Sequence, residues 1–186
     1  TAYEIPKRDW SSDVCSSDLA RYGSERAVAL TETWMKIVER SAYLASTTLA
    51  AEKGAFPLYD AGKYLKGETI RGLDEDVQEA IRKNGIRNGL LTSVAPTGTI
   101  SILADNVSSG LEPVFSFKYT RNVLMPDGTR REEEVSDYAY RLWQRLMGTN
   151  TPLPDYFVDT QALSPADHLI MQAAVQKYVD SSISKT

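Results

Sequence analysis

The amino-acid sequence predicts an α/β fold that is rich in helices and carries one β-hairpin. Three observations support this prediction. Apolar residues recur at helical spacing over residues 24–53. An apolar run of strand length, residues 90–94, leads into a turn with Pro and Gly and then into a short helix-compatible segment. Later in the chain, two β-favouring segments flank Pro126-Asp127-Gly128, which is a turn signal.

The first half of the chain is predicted to be mainly helical. The long helix over residues 24–53 has an apolar side, and Gly54 follows where a left-handed C-terminal residue is common. A short helical segment is predicted around residues 63–66. A further helix over residues 74–83 has acidic residues in its first turn and basic residues in its last, in accord with the helix dipole. Trp34 and Tyr43 are interpreted as packing residues.

The second half is predicted to contain the hairpin and two more helices. Residues 114–124 alternate in polarity and predict a strand, and residues 129–135 predict the returning strand. Ser136 is expected to cap a helix that ends at Met147. A connecting loop with two Pro follows. Ser164 then caps a helix that continues to about residue 180, with Pro165 in its first turn and Asp167 at the capping-box position.

Composition excludes several classes of function. The chain has 186 residues, of which 42% are hydrophobic and 25% charged, as in ordinary globular proteins. A net charge of -4 argues against a nucleic-acid-binding surface, which needs accumulated Lys and Arg. No apolar run is long enough to predict a membrane span. A single Cys cannot form an internal disulfide, so a reducing, cytoplasmic location is expected.

Residues 11–19 repeat Ser-Ser-Asp and lack helical or strand periodicity. They could be a polar linker, but they also match the translation of a sequencing-adapter oligonucleotide, which is the interpretation we favour. Residues 1–19 are therefore treated as uncertain. Cys15 lies in this stretch without a cationic or helix-terminal setting that would lower the pKa of a thiol, so we do not expect it to be catalytic.

A small, hydroxyl-rich loop between the apolar run and the helix-compatible segment is the strongest candidate site. Three hydroxyl groups and a Gly lie where backbone N–H groups at a helix start point toward a ligand, a pattern that favours phosphate binding. No Lys lies between Lys83 and Lys118, so the loop is suited to hold a phosphate rather than to transfer one. An ordinary turn with Thr and Ser as helix caps is the alternative. The loop residues are Pro96, Thr97, Gly98, Thr99, Ile100 and Ser101.

The sequence from residue 85 to residue 115 closely resembles the adenosylcobalamin-dependent (class II) ribonucleotide reductases. The resemblance rests on the Pro-Thr-Gly-Thr-Ile-Ser loop and on the Ser-Ser-Gly-Leu-Glu-Pro turn that follows it. Residues 54–60 and 177–186 resemble two other segments of that family in the same order. The resemblance implies that residues 20–186 are the C-terminal part of its catalytic domain, a fragment of a ten-stranded α/β barrel.

The resemblance also implies a function. In this family the loop binds the substrate phosphates, and adenosylcobalamin generates a thiyl radical that starts the reduction of ribonucleotides to deoxyribonucleotides. A Cys pair, which a thioredoxin-like reductant reduces again, supplies the electrons, and the resemblance allows a homodimer of the intact enzyme. None of those thiols is expected in this chain, so no catalytic or metal-binding residue is assigned. The turn residues expected to support the loop are Ser109, Gly110, Glu112 and Pro113.

Three further side chains are candidate site residues. His168 is the only histidine, and without ligand partners at suitable spacing it is interpreted as a surface or packing residue. Glu112 would repel a phosphate if it faced one, so a structural role is expected. Arg87 is interpreted as a helix-end charge, with substrate contact as the alternative. For the whole chain, the alternatives are a non-catalytic nucleotide- or phosphate-binding module and a truncated, inactive product.

Overall fold

The computed structural model describes residues 20–185, which form two compact units. The first unit contains the described residues of Thr1–Val28, Ala95–Gln172 and Ser184–Thr186, and the second contains Ala29–Val94 and Ala173–Ile183. No helix in this part of the chain has the length and apolar character needed to cross a membrane. The elements are the helices α1 (Glu25–Lys53), α2 (Ala61–Tyr64), α3 (Glu68–Gly72), α4 (Glu75–Asn84), α5 (Gly98–Leu103), α6 (Tyr138–Met147) and α7 (Pro165–Gln176), and the strands β1 (Lys118–Leu124) and β2 (Arg130–Ser136).

The two best-defined helix predictions, α1 and α4, are confirmed. Each helix ends at a glycine with positive φ, +82° at Gly54 and +73° at Gly85. The Gly54 amide donates to the Ala50 carbonyl at 2.8 Å, and the Gly85 amide donates to the Ile81 carbonyl at 2.9 Å. These bonds satisfy carbonyl groups of the last turn, which explains why the chain leaves the helix at these positions.

The short helix predicted around residues 63–66 is displaced in the structure. It begins at Ala61, because the Asp60 carboxylate accepts a hydrogen bond from the Lys63 amide at 3.1 Å and caps the helix there. A second short helix, α3, was not predicted. It contributes the buried Ile70 to the core of the second unit.

The core of the second unit lies between α1, α3 and α4. The apolar side of α4 buries Val77 and Ile81, which pack in one cluster with Tyr43 of α1. The packing role predicted for Tyr43 is therefore confirmed. The Phe56, Tyr59 and Tyr64 rings surround this cluster with centroids 5.6 to 6.0 Å apart. The buried members of the cluster are Tyr43, Ile70, Leu73, Val77, Ile81 and Ile86.

The strand predicted before the phosphate loop is wrong. Among residues 90–94, only Val94 pairs with another segment, in an isolated parallel bridge with Ile183. The amide groups of Leu91 and Thr92 each donate to a carboxylate oxygen of Asp180 at 2.8 Å. A side chain therefore takes the place that a neighbouring strand would have in satisfying these N–H groups.

The Asp180 carboxylate also accepts hydrogen bonds from the hydroxyl groups of Tyr43 and Thr92, both at 3.1 Å. Burial and the nearby Asp180 charge raise the pKa of Tyr43 above its ordinary value. The predicted extension of the last helix to residue 180 is also wrong, since α7 ends at Gln176. Asp180 lies in the segment that follows, where its side chain bonds the backbone of residues 91 and 92.

In the first unit, the predicted hairpin is confirmed. Strands β1 and β2 are antiparallel, with Lys118 opposite Ser136 and Leu124 opposite Arg130. Gly128 has a φ of +83°, which the turn requires. The first strand is shorter than predicted because the Val114 carbonyl accepts the Thr160 amide at 3.0 Å instead of pairing in the sheet.

The caps of α6 and α7 differ in how well they were predicted. Ser136, predicted to cap α6, instead pairs in β2, and the Asp137 carboxylate accepts the Tyr140 amide at 2.9 Å. The capping box of α7 is confirmed, because Ser164 and Asp167 exchange backbone-to-side-chain bonds. Hydrogen bonds from Ser164 hold the pKa of Asp167 below its ordinary value.

The bonds of Asp180 lead to a prediction about stability. We expect Asp180→Asn to lower the free energy of unfolding by about 1–3 kcal/mol, because the amide group cannot accept bonds on both of its polar atoms. Urea unfolding followed by circular dichroism measures the change. The matched control is Glu52→Gln, an exposed position of α1, which should change stability by less than about 0.5 kcal/mol. Equal unfolding midpoints for the two variants would contradict this role of Asp180.

Glu39 leads to a prediction about pH. Burial raises the pKa of Glu39, and the Asp180 and Asp74 charges raise it further. The folded protein therefore binds this proton more readily than the unfolded chain, so the ionised Glu39 lowers stability as the pH rises through the raised pKa. We expect Glu39→Gln to raise the urea midpoint at pH 7 and to leave it nearly unchanged at about pH 3, where Glu is protonated in both states. An equal effect at both pH values would exclude ionisation as the cause.

Candidate functional site

The predicted phosphate loop lies in the first unit and leads into α5. Thr97 has a φ of +50°, and the helix begins at the next residue. The amide groups of Gly98, Thr99 and Ile100 form the first turn and have no acceptor among residues 20–185. All three residues are exposed. The loop therefore presents three neighbouring N–H donors to solvent, as the first turn of a helix does.

The turn that follows the loop in sequence holds Thr97 in place. The Gly110 amide donates to the Thr97 hydroxyl oxygen at 2.6 Å. Gly110 has a φ of +58°, and a Cβ atom at this position would lie 3.0 Å from the Ala95 carbonyl oxygen. Glycine is thus needed for both conformation and close approach. The Thr97 hydroxyl accepts in this bond, so it keeps its own hydrogen as a donor.

The three predicted hydroxyl groups do not share one environment. Ser101 is buried, and its hydroxyl donates to the Val107 carbonyl, while its own carbonyl accepts the Asn106 amide at 2.9 Å. The Ser101 side chain is therefore committed to the interior of the unit. Thr99 is exposed, and Thr97 is half-buried against the turn.

Gly98 is open to solvent. A Cβ atom at this position would meet no atom within 4 Å, and its φ is not in the left-handed region. Internal packing therefore does not require glycine here, whereas close approach of a ligand to the backbone would. Pro96 and Ile100 are also exposed, and their side chains carry no polar group. Their contribution to a phosphate site is limited to the backbone.

The predicted supporting turn is closed by its own bonds. The Glu112 amide donates to the Ser109 carbonyl at 3.1 Å, and the Ser108 hydroxyl donates to the Glu112 carbonyl. Pro113 is buried directly after the turn. The Glu112 carboxylate lies 2.7 Å from the Lys185 ammonium group, in an ion pair with little exposure to solvent. Sequence reasoning expected a structural role for Glu112 but missed Lys185, which lies 73 residues away.

The other candidate side chains serve local contacts. His168 Nδ1 lies 2.8 Å from Lys185 Nζ, and its ring packs 6.0 Å from that of Tyr22. Because an ammonium group can only donate, Nδ1 is the accepting nitrogen in this contact. Arg87 donates to the carbonyl groups of residues 54 and 55, at the end of α1. Cys15 lies outside the described residues.

A cavity of about 580 Å³ lies beside the turn. Hydroxyl groups and the half-buried Glu112 and His168 line part of it, together with apolar side chains. Over residues 20–185, no group of three or more His, Cys, Asp or Glu side chains is arranged to hold a metal ion. Of the six predicted loop residues, Ser101 is the one that lines this cavity. Lining residues include Ser101, Ser108, Ser109, Glu112, Ser116 and His168.

Comparison with known proteins places the chain in a family. Residues 11–186 match the model of the ribonucleotide reductase barrel domain. The vitamin B12-dependent ribonucleoside-diphosphate reductase of Mycobacterium tuberculosis is 32% identical over 181 residues, which cover 89% of this chain and 24% of the relative. The enzyme of the same name from Thermoplasma acidophilum is 31% identical and is covered to 22%. Subunit alpha of ribonucleoside-diphosphate reductase 1 from Escherichia coli is 26% identical over 183 residues and is also covered to 22%.

These matches confirm the resemblance drawn from the loop and the turn. The helix-rich fold with a two-stranded antiparallel hairpin agrees with part of an α/β barrel. The chain spans about a quarter of the length of the curated relatives it matches. It belongs to the ribonucleotide reductase family, and residues 11–186 correspond to part of the barrel domain of that family.

Proposed function

We propose that this chain is the part of an adenosylcobalamin-dependent ribonucleotide reductase that anchors the phosphate groups of the substrate. The observation that carries the proposal is the first turn of α5, where three exposed N–H groups at residues 98–100 have no acceptor in the described part of the chain. Oriented backbone donors of this kind bind phosphate oxygens. The Thr97 and Thr99 hydroxyl groups are side-chain donors on the same short segment.

Contacts within the chain hold both ends of the loop. The bond from Gly110 to Thr97 fixes the residue at which the chain enters α5, and Ser101 anchors the other end of the loop through Val107. A preorganised anchor loses little freedom on binding and fixes the distance between the phosphate and the ribose. Such anchoring supports a reaction on the sugar, carried out by groups elsewhere in the enzyme.

The proposed reaction replaces the 2′ hydroxyl group of a ribonucleotide with hydrogen and releases water. Two electrons are needed, and we propose that a Cys pair delivers them and is reduced again by a thioredoxin-like protein. The sequence holds one Cys, so this chain cannot supply the pair. The names of the relatives favour a ribonucleoside diphosphate as substrate.

Adenosylcobalamin is proposed as the cofactor because two of the relatives named above are vitamin B12-dependent. The cavity beside the turn does not fit this cofactor. The cavity of about 580 Å³ has the size of a site for a drug-sized ligand, and cobalamin is far larger. The His168 Nδ1 atom is engaged by Lys185. No residue among 20–185 is therefore assigned to the cofactor.

The single Cys leads to a prediction about activity. We expect purified residues 1–186 to form no deoxyribonucleotide when supplied with adenosylcobalamin, a dithiol and CDP, because the chain lacks a thiol pair. Product is measured by chromatography of the nucleotides. The complete M. tuberculosis relative serves as a positive control for the assay. Turnover by the purified chain above a no-protein blank would overturn the assignment of the chemistry to other parts of the enzyme.

The open environment of Gly98 leads to a prediction about binding. We expect Gly98→Ala to weaken binding of CDP about tenfold, by hindering the approach of a phosphate to the backbone amides. The same change should raise stability by up to about 1 kcal/mol, because Ala favours a helix more than Gly does. Titration of the ¹⁵N-labelled chain with CDP measures both affinity and the shifts of the residue 98–100 amides.

Two variants serve as controls for this titration. Thr120→Ala changes an exposed residue of β1 and should leave CDP binding unchanged. Gly110→Ala should lower stability, because its Cβ atom would meet the Ala95 carbonyl and its φ is left-handed. If CDP shifts other amides and leaves those of residues 98–100 unchanged, the loop is not the phosphate site. If Gly98→Ala binds CDP as well as the unchanged chain, close approach to this backbone is excluded.

A further inference from the structure

Lys185 is a charged side chain in an interior position. Only 5% of it is exposed, and its ammonium group lies 2.7 Å from Glu112 Oε2 and 2.8 Å from His168 Nδ1. An ammonium group loses much hydration in such a position, so it is tolerated only with close partners. Loss of either charge of the pair with Glu112 should consequently destabilise the fold more than loss of a charge from an exposed surface pair.

Glu112 connects this pair to the phosphate loop. Its backbone closes the turn through the Ser109 carbonyl and the Ser108 hydroxyl. Within the turn, the Gly110 amide donates to the hydroxyl of Thr97, the left-handed residue at which the chain enters α5. A continuous set of contacts thus leads from the Lys185 ammonium group to the start of the loop.

We propose that Lys185 and Glu112 are positioning residues for the phosphate loop. Their ion pair fixes the turn of residues 108–112, and the turn holds Thr97 in the conformation that exposes the amides of residues 98–100. The effect on the turn follows from the contacts alone, whereas the effect on phosphate binding rests on the proposed function.

The pair also acts through charge. Glu112 is two residues from Gly110, which contacts the loop directly. Like charges that are close in space repel each other, and dissolved salt weakens this repulsion. An unpaired carboxylate here would repel a bound phosphate. Lys185 cancels that charge and allows the acidic turn to lie against an anion-binding loop.

The turn has a second anchor, so the effect of Lys185 on its geometry can be tested without unfolding the turn. The Tyr22 hydroxyl donates to the Leu111 carbonyl at 2.8 Å, and this bond is independent of the Glu112 side chain. The turn can therefore remain folded when the ion pair is removed, while its geometry relaxes. Removing both charges together should also be much milder than removing one, because no buried charge is then left without its partner.

The test is a double-mutant cycle with Lys185→Met and Glu112→Gln in the full chain. The first readout is hydrogen exchange at the Gly110 amide without ligand. We expect Lys185→Met to accelerate this exchange about tenfold and the double variant to return it to within about threefold of the unchanged chain. The second readout is the dissociation constant for CDP. We expect it to be higher in Lys185→Met than in the unchanged chain and to return toward the unchanged value in the double variant. The loss in Lys185→Met should shrink as salt concentration rises, because repulsion by an unpaired Glu112 is screened.

Controls separate this inference from the proposed function. Lys177→Met removes an exposed lysine that pairs with Glu32 and should change neither readout. If the unchanged chain binds no CDP, the proposed function fails, and Gly110 exchange still tests the positioning role. If Lys185→Met does not fold, the test uses Glu112→Gln and the double variant. Slower exchange of the Gly110 amide in the double variant than in Glu112→Gln would then support coupling between the two charges. Gly110 exchange that is unchanged by loss of either charge, or additive effects of the two substitutions, would overturn the proposal.

Discussion

Side-chain oxygen atoms satisfy backbone N–H groups in the irregular segments of this chain, and this constraint shapes both units. In the second unit, the Asp180 carboxylate accepts the amides of Leu91 and Thr92. In the first, the Thr97 hydroxyl accepts the amide of Gly110. At residues 98–100, where residues 20–185 supply no such oxygen, the donors face solvent. The candidate site is therefore the segment whose backbone N–H groups lack the side-chain acceptors found in its surroundings. A bound anion would supply those acceptors.

Local sequence signals predicted the elements whose stability is local. The long helix α1 ends at Gly54 because a left-handed glycine can satisfy the last carbonyl groups, and this requirement is visible in the sequence. The hairpin follows from Pro126, Asp127 and Gly128 in the same way. Such signals depend on residues within about one helical turn or one hairpin of each other, so no knowledge of the fold is required to interpret them.

The partners that the sequence did not reveal are distant ones. Asp180 lies 88 residues beyond Thr92, and Lys185 lies 73 beyond Glu112. Periodicity carries no information about such pairs, so the sequence predicts a strand at residues 90–94 and predicts no particular partner for Glu112. Within the loop, the residue types were visible but the direction of each side chain was not. The Ser101 hydroxyl bonds the carbonyl group of Val107, six residues further along the chain, and residue type alone does not indicate such a contact.

The charges around the loop indicate what kind of phosphate chemistry it can support. Enzymes that transfer phosphoryl groups place Lys, Arg or metal ions on the oxygens where negative charge develops. No Lys occurs between Lys83 and Lys118, the Arg141 guanidinium group pairs with Asp105, and the Lys185 ammonium group contacts Glu112 and His168. In the site that we propose, neutral backbone and hydroxyl dipoles hold a phosphate without withdrawing its charge or weakening its bonds. A nucleotide held in this way keeps its phosphate groups intact, so that the phosphate acts as an anchor while bonds change elsewhere in the molecule.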